Sequence, residues 1–272
     1  VNPDVDREEA TMNTLHPTFR WFERGHGEPV VLLHGLMGTM DHWDSTLEAL
    51  APMCRAMAPE VPILDEARAE ASVEGLTHHI GALMDALDLP PAVVGGNSLG
   101  GHLALELALR YPARVSGLIL TGSSGLFERS FTRGVPHVPT AAFVREKMEE
   151  VFYDVTLVTT SWVESVRRTL TTRASALRVL HVARSAKRSN LEARLAEIRV
   201  PTLLVWGKDD RITPPEVAER FRALLPDAQL ELIANCGHAP MLEQPLIFNA
   251  LVEDWLDETR ARRRAHVAGV PR

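Results

Sequence analysis

Ser98 stands in the run Gly96-Asn97-Ser98-Leu99-Gly100, with a glycine two residues away on either side. A serine hydroxyl is a poor nucleophile at neutral pH and needs a base within hydrogen-bond reach to take its proton. The G-x-S-x-G spacing meets a second need. A turn tight enough to lift Oγ clear of a sheet has no room for bulky side chains at the flanking positions. His238, in Cys236-Gly237-His238-Ala239-Pro240, follows an apolar run and is the candidate base. A carboxylate would then fix its tautomer and stabilise the imidazolium. Two neighbours, Asp209 and Asp210, offer themselves for that part. The chemistry of such a trio is acyl transfer through a serine ester. The other histidines do not compete: His78 and His79 fall off the apolar face of their helix, and His42, His102, His137 and His181 lack metal-ligand spacing. Cys236 reads as a small core filler beneath the base.

These groups can meet only if the chain positions them, and the pattern around them is that of a parallel sheet with covering helices. Val30–Leu33, Ala92–Gly95, Val115–Leu120, Pro201–Trp206 and Gln229–Ile233 read as strands, most of them apolar on both faces. Thr18–Glu23 alternates more and is expected at an antiparallel edge. Leu76, Ile80, Leu83, Met84 and Leu87 share one helical face, with Pro90-Pro91 ending that helix. Leu99–Tyr111 is a second helix, stopped by Pro112. A third starts at Thr213-Pro214-Pro215-Glu216, with Thr213 as its cap and Glu216 completing a capping box. The last, Gln244–Arg260, carries Leu246, Ile247, Ala250, Leu251 and Trp255. Ser98 thus falls at a strand–turn–helix elbow, whose helix N-terminus sets positive partial charge beside a developing oxyanion.

The alternation lapses over residues 126–195, which are helix-like throughout and read as a helical cap inserted into the sheet domain formed by 14–125 and 196–260. Residues 1–13 and 261–272 read as an N-terminal arm and a C-terminal tail. The chain's 272 residues, 45% of them hydrophobic, suffice for a sizeable core and exclude a disordered chain. No apolar run approaches a membrane span. Val1–Ala10 holds four carboxylates and no apolar stretch, so no secretory signal is expected in this chain. Two cysteines, Cys54 and Cys236, favour a reducing compartment and a cytoplasmic location. The net charge of −7 argues against broad nucleic-acid binding. It is unevenly spread, because residues 126–195 hold 12 Lys+Arg against 7 Asp+Glu.

From Val30 to Phe248 the sequence resembles the α/β-hydrolase family. His34-Gly35-Leu36-Met37 is similar to the family's oxyanion loop, Trp206-Gly207-Lys208-Asp209-Asp210-Arg211-Ile212-Thr213-Pro214 to the segment supplying the acid, and Gly237-His238-Ala239-Pro240 to the one supplying the base. The resemblance implies an α/β-hydrolase fold, a Ser98–Asp210–His238 triad in the family's chain order, and an oxyanion hole from the backbone N–H groups of Leu36 and Leu99. The family spacing selects Asp210 over Asp209. Gly35, Met37, Trp43, Phe127, Met148, Phe152 and Trp162 are expected around the substrate, with Met40 and Phe131 as further candidates. The implied activity is hydrolysis of a small or medium carboxylic ester through acyl-Ser98, without metal or organic cofactor. The alternatives are carbon–carbon hydrolysis of ring-cleavage products, and lactonase or thioesterase action. The carbon–carbon enzymes commonly have His-Gly-x-Gly in the oxyanion loop and Trp after the catalytic His, where this chain has Met37 and Ala239. A different class, a slow-turnover receptor on the same fold, would show a single stoichiometric acylation and little more.

Overall fold

The computed structural model describes residues 11–15, 18–127 and 139–268. Its centre is an eight-stranded sheet: β1 (Thr11–Leu15), β2 (Phe19–Arg24), β3 (Pro29–Leu33), β4 (Arg55–Pro59), β5 (Ala92–Asn97), β6 (Val115–Thr121), β7 (Thr202–Gly207) and β8 (Ala228–Ile233). The spatial order is β1-β2-β4-β3-β5-β6-β7-β8. β2 runs antiparallel to both β1 and β4, and the pairings from β4 through β8 are parallel. The order turns at β3, which has β4 on one side and β5 on the other. In sheets of this kind the crevice beyond the strand ends at such a point is where ligands sit.

Strand residues alternate between two cores, as the two-residue period requires. On one face Val31, Leu33, Val94, Leu118, Leu120, Leu204 and Trp206 pack under α2 (Val73–Ala86), α3 (Leu99–Arg110) and α7 (Pro215–Leu224). On the other, Val30, Leu32, Val93, Ile119, Leu203 and Val205 meet α1 (Asp44–Leu50) and α9 (Pro245–Ala268), which follows the short α8 (Pro240–Glu243). Between β6 and β7 the chain leaves the sheet to form α4 (Ala141–Glu149), α5 (Thr160–Thr169) and α6 (Arg173–Arg188). Their apolar residues split between the two cores, Val179 and Val182 in the first, Val144, Met148 and Val163 in the second. No described helix is long and apolar enough to cross a membrane.

Several expectations need correction. Residues 11–13, expected within an arm, belong to strand β1; among the described residues β1, not β2, is the sheet edge. β4 escaped sequence reading because Arg-Ala-Met-Ala-Pro has weak strand propensity, and its burial between β2 and β3 decides the matter. Residues 261–268, expected in a tail, belong to α9, which runs to Ala268. Leu246 and Ile247 are exposed in its first turn, and Phe248, Val252, Trp255 and Leu256 form the buried face. α2 ends before Pro90: Asp88 adopts φ 46°, and Asp88 and Leu89 donate to the carbonyls of Asp85 and Met84, a Schellman ending built without glycine. His79 is buried, ring against Phe19 at 5.0 Å, because β2 covers the side of α2 that its own apolar stripe leaves open.

Candidate active site

Ser98 lies between β5 and α3 with φ 55° and ψ −116°, a conformation costly for any residue with a side chain and held by its surroundings. Its N–H donates to Thr121 O (3.0 Å), and its carbonyl accepts from the N–H groups of His102 and Ser124. Close packing fixes the flanking glycines. A Cβ on Gly96 would stand 2.2 Å from Gly100 C, and one on Gly100 would stand 2.0 Å from Leu33 O. The elbow thus presses directly on the end of β3, where Gly35 and Leu36 begin the neighbouring loop.

Asp210 follows β7 and is buried. Its carboxylate accepts from Ile212 N (2.8 Å), Thr213 N (2.9 Å), Thr213 Oγ1 (2.9 Å) and His238 Nδ1 (2.8 Å). The last bond puts the proton on Nδ1 and leaves the Nε2 lone pair as the basic site. The loop is pinned from outside as well. Trp206 Nε1 donates to Thr213 O (2.7 Å), and Asp209 N to Cys236 O (2.9 Å). Gly207 permits this approach, since a Cβ there would meet Gly237 O at 2.0 Å. Asp209 itself is exposed, with only a long contact from Cys236 N at 3.4 Å.

The backbone of His238 is tied to two other elements. Its N–H donates to Val151 O (2.8 Å), just past α4, and its carbonyl accepts from Asn97 Nδ2 (2.8 Å), which also donates to Thr121 O (3.1 Å). Glu243 adds a clamp, accepting from Gly237 N (2.9 Å) and Tyr153 N (2.7 Å). Cys236 is fully buried below, and burial pushes its thiol far above the usual range, which suits a filler and not a nucleophile.

Ser98 and His238 open into one cavity of about 220 Å³, lined also by Leu36 and Leu99. Of the residues expected around a substrate, Gly35, Met37, Met148, Phe152 and Trp162 line it. Trp43 does not: it is fully buried in the second core, 6.1 Å from Phe248 between ring centroids. Phe127 is 59% exposed and away from the cavity, because the chain has already left the sheet there. Met40 packs against the second core, and Phe131 lies outside the described residues.

Sequence reading missed four useful groups. His42 enters the wall, edge-on to Trp162 at 5.6 Å, and burial lowers its pKa. Asn97 was only the variable position of the motif. Thr213 is not the cap of α7, whose N-cap is Pro214; its hydroxyl is committed to Asp210 instead. The spacing Asp-x-x-Thr was the available signal, since a carboxylate reaches a hydroxyl three residues on in a tight loop. Lys187 also lines the cavity and, among the described residues, has no ion-pair partner, whereas Lys147 is paired with Glu150. By contrast His34 has a structural part: Nε2 accepts from Val61 N (3.0 Å), so Nδ1 carries the proton toward Gly35 O (2.9 Å).

A strained serine near the switch point of a parallel sheet thus shares one cavity with a carboxylate-bound imidazole. The chain belongs to the α/β hydrolase family, whose model matches residues 30–251. It is a hydrolase by that membership and by its relatives. It is 32% identical over 251 residues to a 2-hydroxy-6-oxo-2,4-heptadienoate hydrolase of Pseudomonas putida, covering 85% of this chain and 90% of that one. An α/β hydrolase enzyme from the metagenome of Mar Chica lagoon sediments, Morocco, is 32% identical, with TM-score 0.74 over 91% of this chain and 98% of that one. A thermophilic esterase of Thermogutta terrifontis is 25% identical, with TM-score 0.74 over 92% and 99%.

Proposed function

We propose that the protein hydrolyses small to medium carboxylic esters through an acyl-Ser98 intermediate, with Ser98 as nucleophile, His238 as base and Asp210 as the orienting acid. The observation that carries this reading is the 2.8 Å bond from His238 Nδ1 to Asp210 Oδ2 beneath a cavity that Ser98 shares. His238 Nε2 takes the Ser98 proton as Oγ adds to the ester carbonyl. The carbonyl oxygen becomes an oxyanion facing the backbone N–H groups of Leu36 and Leu99. Collapse expels the alcohol, which takes the proton from His238. Water repeats the sequence, releasing the acid and restoring Ser98 Oγ–H. The wall of Val144, Met148, Phe152, Val179, Leu180 and Leu242 suits an apolar acyl or alcohol group.

The same groups would serve carbon–carbon hydrolysis of a ring-cleavage product. The likeness to the Pseudomonas putida dienoate hydrolase, and 29% identity to a 2-hydroxy-6-oxo-6-phenylhexa-2,4-dienoate hydrolase of Burkholderia cepacia, favour that second reading. One experiment separates them: kcat/KM for nitrophenyl esters from acetyl to lauroyl, beside a 2-hydroxy-6-oxo-dienoate. Faster turnover of an ester is expected. A dienoate preferred over every ester would overturn the ester reading, and one acylation without turnover would point to a receptor.

A further inference from the structure

Helix α6 has two different faces. Ala176, Val179, Leu180 and Ala183 close the cavity above Ser98. His181, Arg184, Ser185 and Arg188 form one wall of a second recess, of about 580 Å³, whose opposite wall is the start of α2 and the outer side of α3. At 3.6 residues per turn these two sets fall on opposite sides of the helix. One helix is therefore the partition between two spaces.

The charge of the second space is unusual. In its 16 residues α6 has Arg173, Arg178, Arg184, Lys187 and Arg188 and no carboxylate. Arg178 is committed to the carbonyls of Ile63 (3.0 Å) and Ala69 (2.9 Å). Arg184 and Arg188, one turn apart, have no ion-pair partner among the described residues. The two carboxylates in the recess are already held: Arg110 pairs with Glu74 at 2.9 Å and with Glu106 at 3.0 Å, and Glu106 also accepts from Ser189 Oγ. Two guanidinium groups at i and i+4 repel one another, and their planar forks match phosphoryl oxygens. Val73 N donates to Ser185 Oγ (3.0 Å), joining the start of α2 to α6, as the Ser189–Glu106 bond joins the end of α6 to α3.

We propose that the recess binds a small phosphorylated anion through Arg184 and Arg188, and that its occupant ties α6 to α2 and α3, steadying the wall of the cavity on the helix's other face. The binding is independent of which bond the enzyme cleaves. Calorimetric titration of the full chain with pyrophosphate, inorganic phosphate and citrate, at fixed ionic strength in chloride, tests it. Saturable binding of a phosphoryl probe is expected, weakened at least about tenfold by Arg184→Ala/Arg188→Ala and unchanged by Arg168→Ala, an exposed control on α5. Both arginines of the pair are exposed, so the double variant should fold, and circular dichroism checks that it does. Pyrophosphate should also slow hydrogen exchange of α6 amides in the parent and not in the double variant. No saturable binding, equal affinity in the double variant, or citrate bound as tightly as pyrophosphate would overturn the site. Binding without added protection of α6 would overturn the coupling.

Discussion

Asp210 Oδ2 receives Nδ1–H of His238 at 2.8 Å, and the same oxygen receives the hydroxyl of Thr213 at 2.9 Å. The other oxygen of the carboxylate is filled by two backbone N–H groups, those of Ile212 and Thr213. Three of the four donors to this acid come from the next three residues of its own loop, and the fourth, His238, is held with its proton on Nδ1. One residue earlier, Asp209 has only the long contact from Cys236 N (3.4 Å) and faces solvent.

The two neighbouring carboxylates should therefore respond very differently. Asp210→Asn should lower kcat by ~10³–10⁴, since it misdirects the imidazole tautomer and removes the charge that stabilises imidazolium. Asp209→Asn should cost less than about tenfold, because an exposed loop charge contributes little. Steady-state kinetics of both variants on one ester decides between them. A crippled Asp209→Asn beside an active Asp210→Asn would reverse the assignment.

Thr213→Val removes the hydroxyl from Asp210 Oδ2 and keeps the shape. With one restraint on the acid lost, kcat should fall by roughly tenfold, about 1.4 kcal/mol of barrier, while KM stays within a factor of two or so. Thr213→Ser should restore most of it. An effect confined to KM, or no rescue by serine, would mean the hydroxyl does not act through Asp210.

Ser98→Ala should lower kcat by ~10³ or more with the melting temperature little changed, because the cost of the φ of 55° comes from the Cβ, which alanine keeps. A fluorophosphonate probe should label the parent at Ser98 and leave the variant unlabelled, as read by peptide mass spectrometry.

Gly100→Ala tests the packing of the elbow itself. The new Cβ would stand 2.0 Å from Leu33 O and 2.6 Å from Leu33 C, both backbone atoms of a central strand. Overpacking of that kind costs ~1–3 kcal/mol where side chains can yield, and more against backbone. Denaturant unfolding should show a loss at or above the top of that range, together with loss of activity. A variant as stable as the parent would mean the elbow stands off β3.

Two buried histidines make a prediction about pH. Burial pushes the imidazoles of His34 and His102 down to about 4. His102 donates from Nε2 to Ser189 Oγ at 3.3 Å, because Ser189 gives its own proton to Glu106, and Nδ1 has no partner. Between pH ~6.5 and ~4 the unfolded chain takes up protons that the folded one does not, so stability is full above that window and falls as pH falls through it. For each histidine the loss is at most about 3 kcal/mol. His102→Gln should flatten the decline by up to that amount, measured as unfolding free energy at pH 7 and pH 4.5. An unchanged slope would mean that His102 is protonated in the folded state as readily as in the unfolded chain.

Much of the sheet was legible in the sequence, because β3, β5, β6 and β7 are apolar on both faces and sit between turn signals. That pattern survives only in a strand covered by helices on both sides. The elbow was legible for a related reason: Gly96 and Gly100 are demanded by contacts of the main chain with itself, and no other residue type satisfies them. β4 was not legible, since nothing in Arg-Ala-Met-Ala-Pro prefers a strand until β2 and β3 offer their hydrogen bonds from both sides.

The surroundings of the candidate site divide along the same line. Residue types and chain order singled out Ser98, His238 and a pair of carboxylates, because the chemistry of activating a hydroxyl admits few groups. Choosing Asp210 over Asp209 took the family's spacing, and the geometry that distinguishes them is tertiary. The apolar wall divided too: Met148, Phe152 and Trp162 line the cavity, while Trp43 turned beneath the sheet and Phe127 outward. A large apolar side chain is equally at home in a core, a cavity wall or an unclaimed patch of surface, and only the packing of α4, α5 and α6 over the strand ends decided which. The helper groups are the clearest case. Asn97 and Val151 O touch His238 from 141 and 87 residues away in the chain, and no local pattern records a hydrogen bond that exists only when the strand ends are brought together.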